Sequence, residues 1–220
     1  MLFLELKLQL LKAIQEFKRV IYRNSLIIKA ISTTFFIVLC LAIVFTISIF
    51  YFSPDLMDNL SSFTQSILDS ESIPSPYTSD FLFFIFLNNC GHFWNPIRML
   101  VWIPVLGPIL VAFEIVLNSG LIGVVVVIAG IDKGISYPIT GLVPHGIIEL
   151  PAFLLQLSSI VLWQVTITEA ILGKFRGKKM ETDKIMRGLI DTLILAVAAI
   201  TLLFVAALIE TYITPVFLGF

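Results

Sequence analysis

Apolar residues dominate the chain in long runs, and the polar positions between them mark where those runs end. Over residues 1 to 29, Phe3, Leu6, Leu10, Ile14, Phe17 and Ile21 recur at three- and four-residue spacing, opposed by Lys7, Lys12, Lys18, Arg19 and Arg23. That spacing predicts an amphipathic helix, either lying on an anionic membrane surface or solvated ahead of the first span. Ile31 to Phe52 follows without a charge. At about 1.5 Å per residue, such a run crosses the hydrocarbon core with some tilt.

Residues 53 to 80 contain Asp55, Asp58, Asp69, Glu71 and Asp80 but no Lys or Arg, with turn chemistry at Pro54 and in "PSPY". The next apolar stretch, Phe81 to Gly130, is interrupted by Asn88, Asn89, Gly91, Asn95, Pro96, Arg98, Pro104, Gly107 and Pro108. Pro96 removes a donor and drives Asn95 away from helical angles, so a helix starting at Phe81 kinks or ends there. Pro108 suits the first turn of a new helix reaching about Gly130. The expectation is two spans joined by an irregular turn over 95 to 108, with Arg98 near the inner surface, or a re-entrant hairpin over 81 to 130. Residues 131 to 146 read as an outer connection. Pro144 is placed to start a helix running to about Leu172, which Pro151 can kink, and a last span covers about Leu189 to Ile213.

Composition agrees with this pattern. Mean hydropathy is +1.02 and only 13 % of residues are charged, which excludes a soluble enzyme domain. The 220 residues suffice for about five spans and leave no room for a sizeable second domain. The expected fold is thus an all-α polytopic membrane protein. An amphipathic segment, 1 to 29, precedes a single five-span transmembrane domain, 30 to 220, whose second span is broken or re-entrant. The first apolar run begins too late and runs too long for a cleavable signal.

Charge sets the expected orientation. Six Lys and Arg precede the first span, Arg98 follows the second, and six more lie after residue 173, which leaves Lys133 alone on the other side. This bias puts the N-terminus in the cytoplasm and the C-terminus outside a cell membrane. Cys40 and Cys90 have no metal or disulfide spacing. Trp94, Trp102 and Trp163, with Tyr51 and Tyr77, read as interface markers. Asn59 opens a glycosylation sequon in the acidic loop.

Candidate chemistry rests on polar groups inside the spans, since such groups are costly in hydrocarbon and turn toward the bundle interior or water. They are Asn88, Asn89, Glu114, Asn118, Glu149 and Glu210, with His145 at a predicted helix start. Asn118 lies beside Ser119, Gly120 and Gly123, a small-residue face that with Gly107 allows close helix approach and a hydrogen bond across helices. Asn88 and Asn89 stand at a helix break, where transporters bind solutes and where neighbours elsewhere merely re-satisfy freed backbone.

His145 and Glu149 are four apart and share one helical face. They either form a clasp that keeps a carboxylate charged or supply two metal ligands, with Glu210 as the third. No cofactor is expected, a divalent cation such as zinc being the one alternative. H-x-x-x-E lacks the second histidine of the zinc-protease helix, and no Walker loop, G-x-S-x-G elbow or dinucleotide fingerprint is present.

Four stretches, "FLNN" at 86 to 89, "PVLGPILVAFEIVLNSGLIG" at 104 to 123, "PHGIIELPAF" at 144 to 153 and "AALIETYITP" at 206 to 215, resemble the stage II sporulation protein M (SpoIIM) family of integral membrane proteins. The most specific part is Pro144, His145, Gly146, Glu149, Pro151 and Ala152. Ser119 departs from the contiguous Asn-Gly pair usual in the family. The resemblance implies a five-span helical protein without recognised catalytic chemistry. Members named for sporulation act as the membrane scaffold of a complex with two cell-wall-degrading partners. For this chain the implied role is a scaffold, self-associating in the bilayer, with membrane or envelope protein partners and no nucleic acid. The residues also leave open a solute or ion transporter and a metal-dependent intramembrane hydrolase.

Overall fold

The computed structural model describes residues 2–53, 55–57, 59–62, 66, 73–177 and 181–219. Pro54, Asp58, Asp69 and Glu71 of the acidic loop, and Lys178 and Lys179 of the basic one, lie outside them. The described chain is helical, as an apolar surrounding demands, because every backbone polar group must there be satisfied within the protein. In order come α1 (Leu2–Arg23), α2 (Ser25–Phe52), α3 (Ser79–Asn89), α4 (Gly91–Trp94), a 3₁₀ turn (Arg98–Trp102), α5 (Gly107–Lys133), α6 (Ser136–Phe175), α7 (Thr182–Tyr212) and α8 (Thr214–Leu218).

Among the described residues four helices are long and apolar enough to cross a membrane: Ser25–Phe52, Gly107–Lys133, Ser136–Phe175 and Thr182–Leu218. The second predicted span is no continuous helix. It is the chain of short pieces from α3 to the 3₁₀ turn. Its start is tied to α7, where the Tyr77 backbone N–H donates to the Thr211 carbonyl, and its end to α6, where Gln164 meets Val101. His145 of α6 touches Thr214, just past Thr211, so the pieces descend along α6 between the levels of residues 145 and 164. At 1.5 Å per residue that is about 28 Å, close to a hydrocarbon thickness.

Helix α6 is the axis of the bundle. From Leu154 to Ile160 every residue is buried, as befits a helix enclosed on all sides. On one side Leu154, Leu157 and Ile160 pack with Ile31 and Phe35 of α2, Val101 of the 3₁₀ turn and Val111 and Ile115 of α5. On the other, Leu155 and Leu162 pack with Val20 of α1 and Leu195 and Ala199 of α7. Helices α2 and α5 touch through glycine: a Cβ on Gly123 would stand 2.8 Å from the Ala42 Cβ and 3.2 Å from the Ile43 nitrogen. The small-residue face of α5 is therefore used inside the chain at Gly123, whereas Gly120 faces open space.

Several boundaries differ from expectation. The first span is extended to Ser25, because no Gly or Pro interrupts residues 25 to 30; the chain bends instead at Asn24, whose side-chain amide donates to the Val20 carbonyl at 3.0 Å and to Asp191 at 2.8 Å. Helix α7 likewise starts at Thr182, ahead of its apolar run. The outer connection predicted over 131 to 146 shrinks to Gly134 and Ile135, and Pro144 sits inside α6 rather than at its start. Pro138, in the first turn where an N–H is unpaired anyway, occupies the position that suits proline.

The break in the second span leaves carbonyls without helical partners, and side chains supply the donors. Trp94 Nε1 donates to Leu87 O at 2.6 Å, Arg98 Nη1 to Asn88 O at 2.6 Å, and Gln156 Nε2 to Asn89 O at 3.3 Å. Trp102 Nε1 donates to His92 O at 2.8 Å, Gln164 Nε2 to Val101 O at 2.5 Å, and Trp163 Nε1 to Trp102 O at 2.9 Å. The three tryptophans, expected as interface markers, are thus all engaged in capping the broken segment. Arg98 folds back into the bundle against Asn88.

Candidate functional site

Two polar clusters sit on either side of the α3–α4 junction. In the first, Glu114 of α5 faces His92 of α4 and Arg98 of the 3₁₀ turn. Its Oε1 lies 3.2 Å from His92 Nε2, close but outside hydrogen-bond geometry, and 3.9 Å from Arg98 Nε. Asn118 donates to Glu114 twice, to the backbone carbonyl at 2.8 Å and to Oε2 at 3.0 Å. The bond expected from Asn118 across helices is instead made within α5, because residues four apart already share a face. His92 is fully buried. The Glu114 carboxylate has a guanidinium nearby, so this cluster is charge-compensated. A histidine thus faces a carboxylate here as well as at His145.

In the second cluster the third and fourth turns of α6 bring His145 and Glu149 onto one face, and the last turn of α7 brings Glu210 to meet them. One ligand atom from each of the three lies within 4.8 Å of the other two. His145 Nε2 stands 3.6 Å from Glu149 Oε2. Its other ring nitrogen, Nδ1, is 3.2 Å from the hydroxyl of Thr214, at the start of α8. Asn89, the last residue of α3, donates from Nδ2 to Glu149 Oε1 at 2.9 Å while its own carbonyl is held by Gln156. Both carboxylates are half-buried and His145 is 8 % exposed. Among the described residues no Lys or Arg pairs with Glu149 or Glu210, and Glu210 makes no hydrogen bond there.

The cluster borders a cavity of about 610 Å³ between α2, α3, α5, α6 and α7. Phe84, Ile122, Val126, Leu150 and Phe153 make its walls apolar, and Asn88, Asn89, Asn118, His145, Glu149 and Glu210 give it polar points. A cavity with apolar walls and a few convergent polar groups is the usual form of a ligand site. Of the residues expected from sequence, His145, Glu149 and Glu210 converge, Asn89 supports them, and Glu114 with Asn118 belongs to the other cluster. Asn88 is exposed toward the cavity and contributes its carbonyl to Arg98.

Sequence reasoning missed Thr214 and the pairing of His92 with Glu114. The first lies beyond the last predicted span. The second joins residues brought together only by the descent of the broken segment.

Comparison with known proteins adds the family. No curated protein and no solved structure matches the chain. Residues 32–215, from early in α2 to the start of α8, match the family described as Stage II sporulation protein M, and this membrane protein belongs to that family.

Proposed function

We propose that the chain is a membrane scaffold that organises or recruits partner proteins and associates with itself in the bilayer. Family membership over residues 32–215 carries this reading, since the match spans nearly the whole bundle. The packing is consistent with a rigid platform: the buried hydroxyls of Ser158, Ser159 and Thr166 are bonded to carbonyls of α6 itself, and the outward faces of α2, with Ile37, Leu41 and Phe45, are apolar and exposed. Because Gly123 is already used between α2 and α5, self-association would draw on such outward faces rather than on the small-residue stripe. The basic end of the bundle is assigned to the cytoplasm and the acidic end to the outside of the cell membrane.

Native mass spectrometry of the protein released from its own membranes into lipid nanodiscs tests the role. An assembly of fixed stoichiometry, with itself or with an envelope protein, is the expected outcome. A solitary chain under those conditions would overturn it.

The cavity favours a second reading, a carrier or channel for a small polar solute or ion, because Asn88, Asn89, Asn118, Glu149 and Glu210 meet beside a broken segment as in transporter sites. Liposome flux that is reduced in both E149Q and E210Q supports it. Flux equal to that of the parent chain removes it.

A further inference from the structure

We propose that His145, Glu149 and Glu210 bind one divalent metal ion of the zinc type, with an open coordination position facing the cavity. The donor set argues for this class. One imidazole nitrogen and two carboxylate oxygens suit a borderline ion such as zinc, whereas calcium takes six to eight oxygens at longer range.

The spacing is compatible. Zinc bonds of about 2.0 to 2.2 Å place neighbouring tetrahedral ligands about 3.4 Å apart. His145 and Glu149 already stand at 3.6 Å, and the full set lies within 4.8 Å. Closing the remainder takes rotation of the Glu210 side chain, which no hydrogen bond restrains among the described residues.

The surroundings are those of a prepared ligand set. Thr214 engages His145 Nδ1 and so turns Nε2 toward the carboxylates, and Asn89 fixes Glu149 through its far oxygen. Outer contacts of this kind orient the ligands of metal sites. Charge provides an independent argument. Two carboxylates against one histidine leave a deficit of at least one positive charge when both are ionised, and no Lys or Arg among the described residues supplies it. With His145 neutral, as a metal ligand, a divalent ion offsets both carboxylate charges in a region where net charge is costly. The Glu114 cluster, which has Arg98, needs no such ion. The cavity provides the way in.

This inference is independent of the scaffold and transport readings, since equilibrium metal binding is measured without a partner or a gradient. The test uses the full chain in nanodiscs, purified without an affinity-tag metal, stripped with a chelator and titrated with zinc against a chromophoric chelator. The expected result is one zinc per chain. E210Q should weaken binding at least tenfold with the chain still monodisperse, H145Q and E149Q should do so as well, and E114Q should leave it unchanged. E210Q is the variant least able to disturb the fold, because the Glu210 side chain makes no hydrogen bond among the described residues. A parent chain that takes up no zinc, or an E210Q chain that binds it as the parent does, overturns the proposal.

Discussion

Asn89 and Glu149, sixty positions apart, are joined by a 2.9 Å hydrogen bond from amide to carboxylate. The contact exists because α3 ends at Asn89, inside the bundle, instead of running on past α6. Asn89→Leu removes the donor and leaves a half-buried carboxylate oxygen without one, a loss of about 1 to 3 kcal/mol. Thermal unfolding in detergent should show the drop, and Asn89→Gln should not restore it, since a longer arm cannot hold the same register. An Asn89→Leu chain as stable as the parent would mean that the bond contributes nothing.

The carbonyls of the broken segment make a second prediction. Gln164→Leu keeps the volume on α6 but takes away the donor to Val101 O, and Gly107 lies against the same amide, so that a Cβ there would overlap Gln164 Nε2. A buried carbonyl left unpaired costs about 1 to 3 kcal/mol, and the apolar surroundings offer it no water. Gln164→Leu should therefore lower the unfolding temperature. Its partner measurement is faster proteolysis near Val101, because the 3₁₀ turn loses its tie to α6.

The glycines of α5 separate a packing role from a spare one. Gly123→Ala places a methyl 2.8 Å from the Ala42 Cβ and 3.3 Å from the Leu39 carbonyl, forcing α2 outward at a cost of about 1 to 3 kcal/mol. Gly120→Ala meets nothing within 4 Å and gains helix propensity. Unfolding measured side by side should show the first variant weakened and the second equal to the parent or slightly better.

Much of this arrangement is legible from residues. The long apolar runs and their punctuation give the helices, and the topology puts Glu210 at the membrane level of His145 and Glu149, where the structure has it. What the sequence hides is pairing across the break. Asn89 and Asn118 are both amides beside glycines, yet one reaches α6 and the other turns back on its own helix, a difference set by where α3 stops. Pro144 misleads for a related reason. Proline marks a helix start only when the upstream residues cannot be helical, and Pro138 had already filled that position one and a half turns earlier.

Orientation is open to a direct measurement. Thirteen of fourteen Lys and Arg are assigned to the cytoplasmic side, so a membrane-impermeant amine reagent applied to intact cells should label Lys133 and leave Lys174 and Lys184 untouched. Labelling of Lys184 before lysis would reverse the assignment.

At the basic end, Arg23 of α1 grips Asp191 of α7 with both Nε and Nη2 at 2.7 Å, and Asn24 adds a third donor at 2.8 Å. Asp191 is 3 % exposed, whereas the Arg23 side chain keeps 44 % of its surface in contact with solvent. Removing one partner of a fully buried pair costs about 3 to 5 kcal/mol. Here the freed guanidinium can turn to water, so Asp191→Asn should cost less, about 1 to 2 kcal/mol. The hydrogen bond to Asp191 holds the Arg23 pKa above its ordinary value, against a smaller opposing effect of burial. A raised pKa means that its stabilisation is complete below the unfolded value, far on the alkaline side, and is lost only as pH climbs through the still higher folded one. The difference in unfolding temperature between the parent and Asp191→Asn should consequently be the same at pH 6 and pH 9. Arg23→Lys keeps the charge but loses the two-pronged geometry, and should recover only part of that difference. A gap between parent and Asp191→Asn that closes on going from pH 6 to pH 9 would show that a group other than Arg23 supplies the attraction.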